Sequence, residues 1–204
     1  MKLHWSPRSP FVRKVMITAH ECGVADRLEC VRTVVAATTP CLDLIPDNPL
    51  IKLPTLVRDD GTSLYDSAVI CEYFDSLHHG KKLFPADGEA RWIALRRQAL
   101  GDGMLDTLLL WLGERNRAEE LRSEPHIAAY RVKTTSSLDA LEREAADLAT
   151  SDFTIGHIAI GCALGYLDFR FPAEPWRNGR PALAEWHQAF ESRPSALAVV
   201  PSEG

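Results

Sequence analysis

The sequence lacks the features that mark several common classes of protein. No apolar run approaches the roughly 20 residues of a transmembrane helix, since the longest extends only from Ile158 to Leu167. There is no excess of basic residues to attract nucleic acid or anionic lipid, because 23 Lys and Arg face 28 Asp and Glu, a net charge of −5. Pro7 is reached before an apolar signal-peptide region could form. We therefore expect a protein that binds neither membrane nor nucleic acid.

Metal-binding and disulfide patterns are also missing. The five cysteines show no Cys-x-x-Cys spacing, and their odd number predicts reduced thiols in a cytoplasm. The seven histidines show no metal-ligand spacing either, and His78-His79 precede Gly80 in a predicted loop. The sequence thus predicts no metal site.

The first eighty residues alternate between strand and helix patterns. Ser9 is a predicted N-cap with Pro10 at the first helical position, and Gly23 ends that helix. A turn at Asp59-Asp60-Gly61 predicts a hairpin. In chain order the predicted elements are a strand, a helix, a strand, two hairpin strands and a helix, at residues 2–5, 10–22, 28–35, 55–58, 62–65 and 67–77. This order is that of a thioredoxin-like α/β unit.

Everything after a Gly-, Pro- and Lys-containing linker has helical periodicity. The predicted helices cover residues 89–116, 125–148, 154–170 and 181–192. The third is apolar on nearly every side, which predicts a buried central helix. Gly101 and Gly103 are potential bend points in the first.

Three motifs in order carry a resemblance to a known family. They are Ser6 to Lys14 (Ser-Pro-Arg-Ser-Pro-Phe-Val-Arg-Lys), Leu53-Pro54-Thr55, and Asp66-Ser67 at the start of a helix. With the helical second half, the whole chain resembles the cytosolic glutathione S-transferases, in particular a bacterial branch with the first motif. The resemblance implies a thioredoxin-like α/β domain at residues 1–79, a linker at 80–88, an all-α helical domain at 89–204, and a homodimer.

The loop after the first strand bears on the chemistry. Thioredoxins carry Cys-x-x-Cys where this chain has Ser6-Pro7-Arg8-Ser9, so dithiol exchange is excluded here and a mixed disulfide with glutathione is disfavoured. No tyrosine precedes Tyr65, which excludes the tyrosine-type members of the family. What remains is a serine hydroxyl that donates a hydrogen bond to the glutathione sulfur. Ser6 and Ser9 are both candidates for this catalytic role.

The resemblance also implies two sets of contacts with substrate. For glutathione these are Lys52 with the glycine carboxylate, the Leu53 backbone beside a cis Pro54 with the cysteinyl backbone, and Asp66 and Ser67 with the γ-glutamyl group. The electrophile pocket is expected between the Ser6–Phe11 loop and the first helix of the second domain. Its candidate lining residues are Phe11, Met104, Leu108 and Trp111.

The sequence departs from the family pattern at two notable positions. Ile51 replaces the usual glycine before the lysine, which is expected to crowd this loop. The capping box of the buried helix reads Thr154-Ile155-Gly156-His157, and we expect His157 to fail as a substitute for the usual carboxylate. Such a loss typically costs ~1 kcal/mol.

The resemblance predicts a glutathione transferase that conjugates glutathione to a small hydrophobic electrophile, a detoxification reaction. Two alternatives remain open. One is a glutathione-binding stress or interaction protein without catalysis. The other is an enzyme that uses glutathione for isomerisation, dehalogenation or peroxide reduction.

Overall fold

The computed structural model describes residues 1–36 and 38–203, and the chain divides into two compact units. The first comprises Met1–Arg91 together with the segment from Pro194 onward, and the second comprises Trp92–Arg193. The predicted boundaries at residues 79 and 89 stay predictions, and each unit is described below by itself.

The first unit is built on a four-stranded sheet with two helices. Its elements are β1 (Lys2–Trp5), α1 (Pro10–Glu21), β2 (Glu29–Arg32), β3 (Thr55–Val57), β4 (Ser63–Leu64) and α2 (Ser67–Ser76). The strand order is β2-β1-β3-β4, with β1 parallel to β2 and antiparallel to β3. This is the predicted thioredoxin-like arrangement. The second strand is shorter than the predicted 28–35.

Apolar side chains from the sheet and from both helices form the core of the first unit. Leu3 and Leu56 of the sheet are fully buried, as are Ile17 of α1 and Phe74 of α2. Ser9 is the N-cap of α1 and its hydroxyl accepts from the Val12 N–H, as predicted.

The second unit consists of helices with short connections. These are α3 (Gly88–Arg115, which begins in the first unit), α4 (Glu124–Thr150), α5 (Ile155–Arg170) and α6 (Pro181–Glu191). Every residue of α5 from Ile155 to Leu167 is buried, which confirms the predicted central helix. A further one-turn helix, α7 (Pro194–Leu197), was not predicted and belongs to the first unit.

Gly101 allows two helices to approach closely and does not interrupt α3. A Cβ atom added at Gly101 would lie 2.5 Å from the backbone carbonyl carbon of Ala159 on α5. The helix is continuous through Gly101 and Gly103. Gly101 therefore serves helix packing, a cause that the sequence could not distinguish from a bend, whereas a Cβ atom at Gly103 would meet nothing within 4 Å.

The expectation about His157 was wrong. The Thr154 N–H donates to Nδ1 of His157 at 3.1 Å, so the imidazole completes the capping box at the start of α5. On the other side of the ring, Nε2 lies 3.2 Å from the carbonyl oxygen of Leu148. Donation from Nε2 leaves Nδ1 as the acceptor, so this neutral tautomer satisfies both contacts.

The environment of His157 favours that neutral ring. Burial, followed by the positive charge of the nearby Arg97, lowers the pKa of His157 to about 4. Arg97 is itself buried and pairs with Glu144 and Asp147 on α4. Protonation of His157 would consequently remove the acceptor of the cap and place a second positive charge beside Arg97.

Among the residues that the structure describes, no helix is long and apolar enough to cross a membrane.

The capping histidine makes stability depend on pH. Because the unfolded chain takes up this proton near pH 6.5 and the folded chain near 4, stability is intact above pH 6.5 and falls as the pH drops towards 4. Between pH 7.5 and 4.5 this group lowers the free energy of unfolding by roughly 2–3 kcal/mol. His157→Gln keeps a neutral acceptor without the titration, so urea unfolding should show a smaller acid loss by about that amount.

The exposed His79, in the loop after α2, provides the matched control. His79→Gln should lose stability with falling pH as the wild type does. If acidification lowered the free energy of unfolding equally in the wild type and in His157→Gln, the folded protein would not resist protonation of this ring.

Candidate functional site

Three segments that the sequence singled out converge at one edge of the sheet in the first unit. The register pairs His4 with Thr55 across β1 and β3, and Leu56 with Leu64 across β3 and β4. Extended past the strand ends, these registers would set Ser6 opposite Leu53 and Leu53 opposite Ser67, at one, two and three residues beyond β1, β3 and β4. The antiparallel pairing thus brings together parts of the chain that are about sixty residues apart in sequence.

Both candidate serines lie in the loop that leads into α1. Each hydroxyl oxygen accepts a hydrogen bond from the backbone. Ser9 accepts from the Val12 N–H at 3.3 Å, and Ser6 accepts from the Arg8 N–H at 3.4 Å. A hydroxyl that accepts in this way can still donate its own proton. The positive end of α1 favours an anion at this loop. The role of either serine in activating a thiol stays a prediction.

Asn48, which sequence reasoning missed, organises the loop before β3. Its side chain is 1% exposed and its amide donates to the Lys52 carbonyl at 3.2 Å and to the Thr55 hydroxyl at 2.9 Å. Its Oδ1 accepts from the Leu50 N–H at 2.9 Å. One buried amide therefore holds the backbone at Leu50 and Lys52 and the hydroxyl of Thr55. The only signal in the sequence is an Asn-Pro step, which is too common to identify this role.

Ile51 adopts a backbone conformation that normally belongs to glycine. Its φ is +52°, in the left-handed region where a β-branched residue is strained. A glycine at this position, as in the family pattern, would adopt the same conformation without a Cβ clash. Ile51 therefore keeps the turn of the family pattern, but its backbone is strained immediately before Lys52.

The next three residues present the extended edge expected from the sequence. The Leu53–Pro54 peptide bond is cis, as the resemblance implied. Pro54 is buried, Leu53 is half-buried, and Lys52 is exposed. Their assignment as contacts for the cysteinyl and glycine parts of glutathione stays a prediction.

Asp66 and Ser67 form the start of α2. Asp66 is the N-cap, and its carboxylate accepts from the Ala68 N–H at 2.9 Å. Ser67 is 2% exposed, and the peptide bond between Tyr65 and Asp66 is cis. This helix start combines an exposed carboxylate with the positive end of a ten-residue helix. It can bind an amine and a carboxylate that are attached to the same carbon atom.

A cavity of about 340 Å³ lies beside the two serines, within the first unit. Ser6 and Ser9 line it, with side chains from one face of α1, from β2, and from residues 198–202. Residues 198–202 belong to what is called the C-terminal segment below, namely residues 194–203. No motif in the sequence connects this segment with the serine loop.

Specific contacts tie the C-terminal segment to α1 and to the loop before it. Arg13, which is 5% exposed, donates from Nε to the Val199 carbonyl at 3.2 Å. The Arg8 guanidinium lies 3.3 Å from the Glu203 carboxylate. In the structure it pairs with the end of the chain.

The predicted electrophile-pocket residues fall in both units. Phe11 is half-buried in the first unit, with the Lys14 ammonium 5.5 Å from its ring centroid. Met104, Leu108 and Trp111 are 3%, 0% and 3% exposed in the second unit. Their contact with a substrate stays a prediction.

The described residues contain one group that could hold a metal ion. Cys22, Asp75 and His78 place possible ligand atoms within 4.8 Å of one another. The Asp75 carboxylate already accepts from the backbone N–H groups of Leu83 and Phe84. Burial, followed by the charge of Asp75, raises the pKa of the Cys22 thiol to about 12. The bonds of Asp75 anchor the loop after α2, and the absence of a metal stays a prediction.

Comparison with known families and proteins yields consistent matches. Residues 8–77 match the glutathione S-transferase N-terminal domain, and residues 124–189 match the C-terminal domain. The GST-like protein YibF of Escherichia coli K12 is 34% identical over 203 residues, with 98% of each chain covered.

Solved structures of similar proteins extend these matches. A glutathione transferase family member from Pseudomonas fluorescens Pf-5, solved with bound glutathione, is 43% identical with a TM-score of 0.95, and 98% of each chain is covered. A glutathione S-transferase from Methylobacillus flagellatus KT, solved with glutathione bound, is 32% identical with a TM-score of 0.88. The alignment covers 98% of this chain and 99% of that one.

The strain at Ile51 can be tested by comparing two truncations at this position. In ordinary backbone Ala is more stable than Gly, but at φ +52° a Cβ costs roughly 1–2 kcal/mol. Ile51→Gly should therefore be more stable than Ile51→Ala by about 1 kcal/mol in urea unfolding. Both variants remove the same packing beyond Cβ, so the comparison isolates the backbone. An alanine variant more stable than the glycine variant, as in ordinary backbone, would show that no strain is stored here.

Proposed function

This chain belongs to the glutathione S-transferase family, and on that premise we propose that it binds glutathione and activates its thiol with a serine hydroxyl. The activated sulfur then attacks a small electrophile. The single observation that carries the proposal is the convergence of the Ser6–Ser9 loop, Leu53 and Ser67 at one edge of the sheet.

The dimensions of this edge suit a tripeptide. Neighbouring strands lie about 4.8 Å apart, so the distance from β1 across β3 to β4 is about 10 Å. An extended tripeptide also covers about 10 Å. Glutathione lying across the strand ends would therefore reach from the serine loop to the start of α2.

The charges of the edge complement those of glutathione. The start of α2 offers the Ser67 N–H to the γ-glutamyl carboxylate, and the exposed Asp66 offers its carboxylate to the neighbouring amine. Lys52 is exposed beside Leu53 and can pair with the glycine carboxylate. The Leu53 backbone can bind the cysteinyl backbone as an added strand does. This orientation leaves the sulfur at the serine loop.

Activation requires a modest preference for the thiolate. A free thiol with a pKa near 8.5 is only about 3% ionised at pH 7. Lowering the pKa by two units gives roughly 75% thiolate and corresponds to about 2.7 kcal/mol. A hydroxyl donor and the positive end of α1 are two interactions of suitable size to supply it.

The ligands of related proteins support glutathione as the substrate. Besides the two complexes with glutathione, a Pseudomonas fluorescens Pf-5 structure that is 41% identical to this chain holds S-(propanoic acid)-glutathione. In that ligand the sulfur carries a substituent with a carboxylate. We extend glutathione binding, a homodimeric state and a cytoplasmic role in detoxification to this chain as parts of the proposal.

The decisive experiment follows the ionisation of bound glutathione by its thiolate absorbance against pH. The wild type should lower the thiol pKa to about 6–7, and either Ser6→Ala or Ser9→Ala should return it towards 8.5. Ser76→Ala, which removes an exposed hydroxyl on α2, is the matched control and should behave as the wild type does. Thermal unfolding checks each variant, because Ser9→Ala also removes a helix cap.

The possible results separate the remaining functions. Tight binding with an unshifted thiol in every protein would overturn the catalytic proposal and indicate a glutathione-binding protein. Absence of binding would overturn the proposal altogether. If the thiol is activated, a substrate panel distinguishes conjugation from isomerisation, dehalogenation and peroxide reduction.

A further inference from the structure

The cavity beside the serines has a positively charged wall. Its titratable lining residues are Arg13, His20, Cys30 and Arg32, and none of the described lining residues carries a carboxylate. This is notable in a chain with a net charge of −5. The potential inside a concave surface lined by one sign of charge attracts ligands of the opposite sign.

Arg32 is the charge best placed to meet a ligand. It is exposed at the end of β2, and its guanidinium lies 5.8 Å from the centroid of the Trp5 ring. Among the described residues no carboxylate lies within salt-bridge distance of Arg32, whereas Arg8 nearby is paired with Glu203. The Trp5 ring positions the guanidinium at the cavity without neutralising its charge.

The remaining lining is largely apolar. Val12 and Met16 of α1 contribute on one side, and Val199 and Val200 of the C-terminal segment contribute on the other. A volume of about 340 Å³ falls within the range of small-molecule sites. The cavity therefore suits an amphipathic molecule with an apolar body and an anionic group.

We infer that this cavity binds a small apolar molecule that bears a carboxylate, and that Arg32 pairs with that carboxylate. If the proposed function holds, the electrophile is a molecule of this same class. Ser6 and Ser9 line the cavity, so the activated glutathione sulfur would lie at its end. This refines the hydrophobic electrophile expected from the sequence to an anionic one. It also places the site within the first unit.

The corresponding reaction can be written for an aryl halide such as 4-chloro-3-nitrobenzoate. The thiolate sulfur supplies an electron pair to form the S–C bond at the carbon that bears chlorine. The ring then expels chloride with the electron pair of the C–Cl bond. The thiol proton passes to solvent when the thiolate forms, so no oxidant, reductant or further reactant is needed.

The thiol of Cys30 also lines the cavity, where it could compete with the glutathione sulfur as a nucleophile. Its environment disfavours that reaction. Desolvation raises the pKa of the Cys30 thiol above its ordinary value. A thiol of raised pKa is protonated at neutral pH and reacts slowly. A bound electrophile is therefore available to glutathione in preference to Cys30.

Binding is tested first, with probes that cannot react. Calorimetric titration compares 3-nitrobenzoate with its uncharged methyl ester, each in the presence and absence of glutathione. The wild type should bind the carboxylate about tenfold more tightly, as expected for one charge-assisted hydrogen bond. Arg32→Gln should abolish that preference, and Arg32→Lys should restore part of it. Raising the salt concentration should weaken the preference in the wild type.

Arg27→Gln is the matched control, because Arg27 is an exposed arginine of the same unit outside the cavity lining. It should retain the wild-type preference. Equal affinity for the acid and the ester, no binding of either, or a preference that survives Arg32→Gln would each overturn the inference. Thermal unfolding confirms that the Arg32 variants are folded.

Turnover then separates this inference from the proposed function. Rates with 4-chloro-3-nitrobenzoate and the uncharged 1-chloro-2,4-dinitrobenzene are compared in the wild type and Arg32→Gln. Suppose that the wild type turns over neither substrate but still binds 3-nitrobenzoate through Arg32. The transferase proposal would then be overturned, and the anion-binding site would stand. Turnover by a wild type that shows no preference for the carboxylate in binding would support the transferase proposal and overturn the anion-binding site.

Discussion

The candidate site depends on the antiparallel pairing of β1 with β3. This register brings the end of the first strand, which leads to Ser6, next to the beginning of the strand that follows Leu53 and Pro54. Pairing of β3 with β4 then adds the start of α2. A shift of one residue in either register would reverse the side of the sheet to which every subsequent side chain points. The buried Leu3 and Leu56 oppose such a shift, so the core of this unit also fixes its site.

Much of this arrangement could be predicted from the sequence. Ser9-Pro10 and Asp66-Ser67 are local signals, since a cap and the helix it begins are adjacent in the chain. The hairpin around Gly61, which has a φ of +82°, is local in the same sense. The family resemblance supplied the cis bond before Pro54. These features belong to short segments whose conformation follows from their own residues.

The features that escaped prediction depend on contacts between distant segments. Asn48 could not be recognised because its role requires the Thr55 hydroxyl and two backbone groups in a folded loop. His157 was judged by the absence of a carboxylate, although a neutral imidazole nitrogen is an equally good acceptor once burial holds the ring uncharged. The charged cavity was not foreseen because Arg32 and Val199 line the same cavity only after the chain returns to the first unit.

That return has a consequence for the helical unit. The chain leaves the first unit after Arg91 and rejoins it at Pro194, where Ser195 bonds to Glu21 and Val199 to Arg13. The anchored segment thus acts as a non-covalent cross-link around about a hundred residues. If the second unit unfolded while the first stayed folded, the released chain would be a closed loop, whose lower entropy corresponds to a free energy of about 5 kcal/mol by analogy with a disulfide. The helices of the second unit are accordingly stabilised against unfolding by themselves by bonds that lie within the first unit.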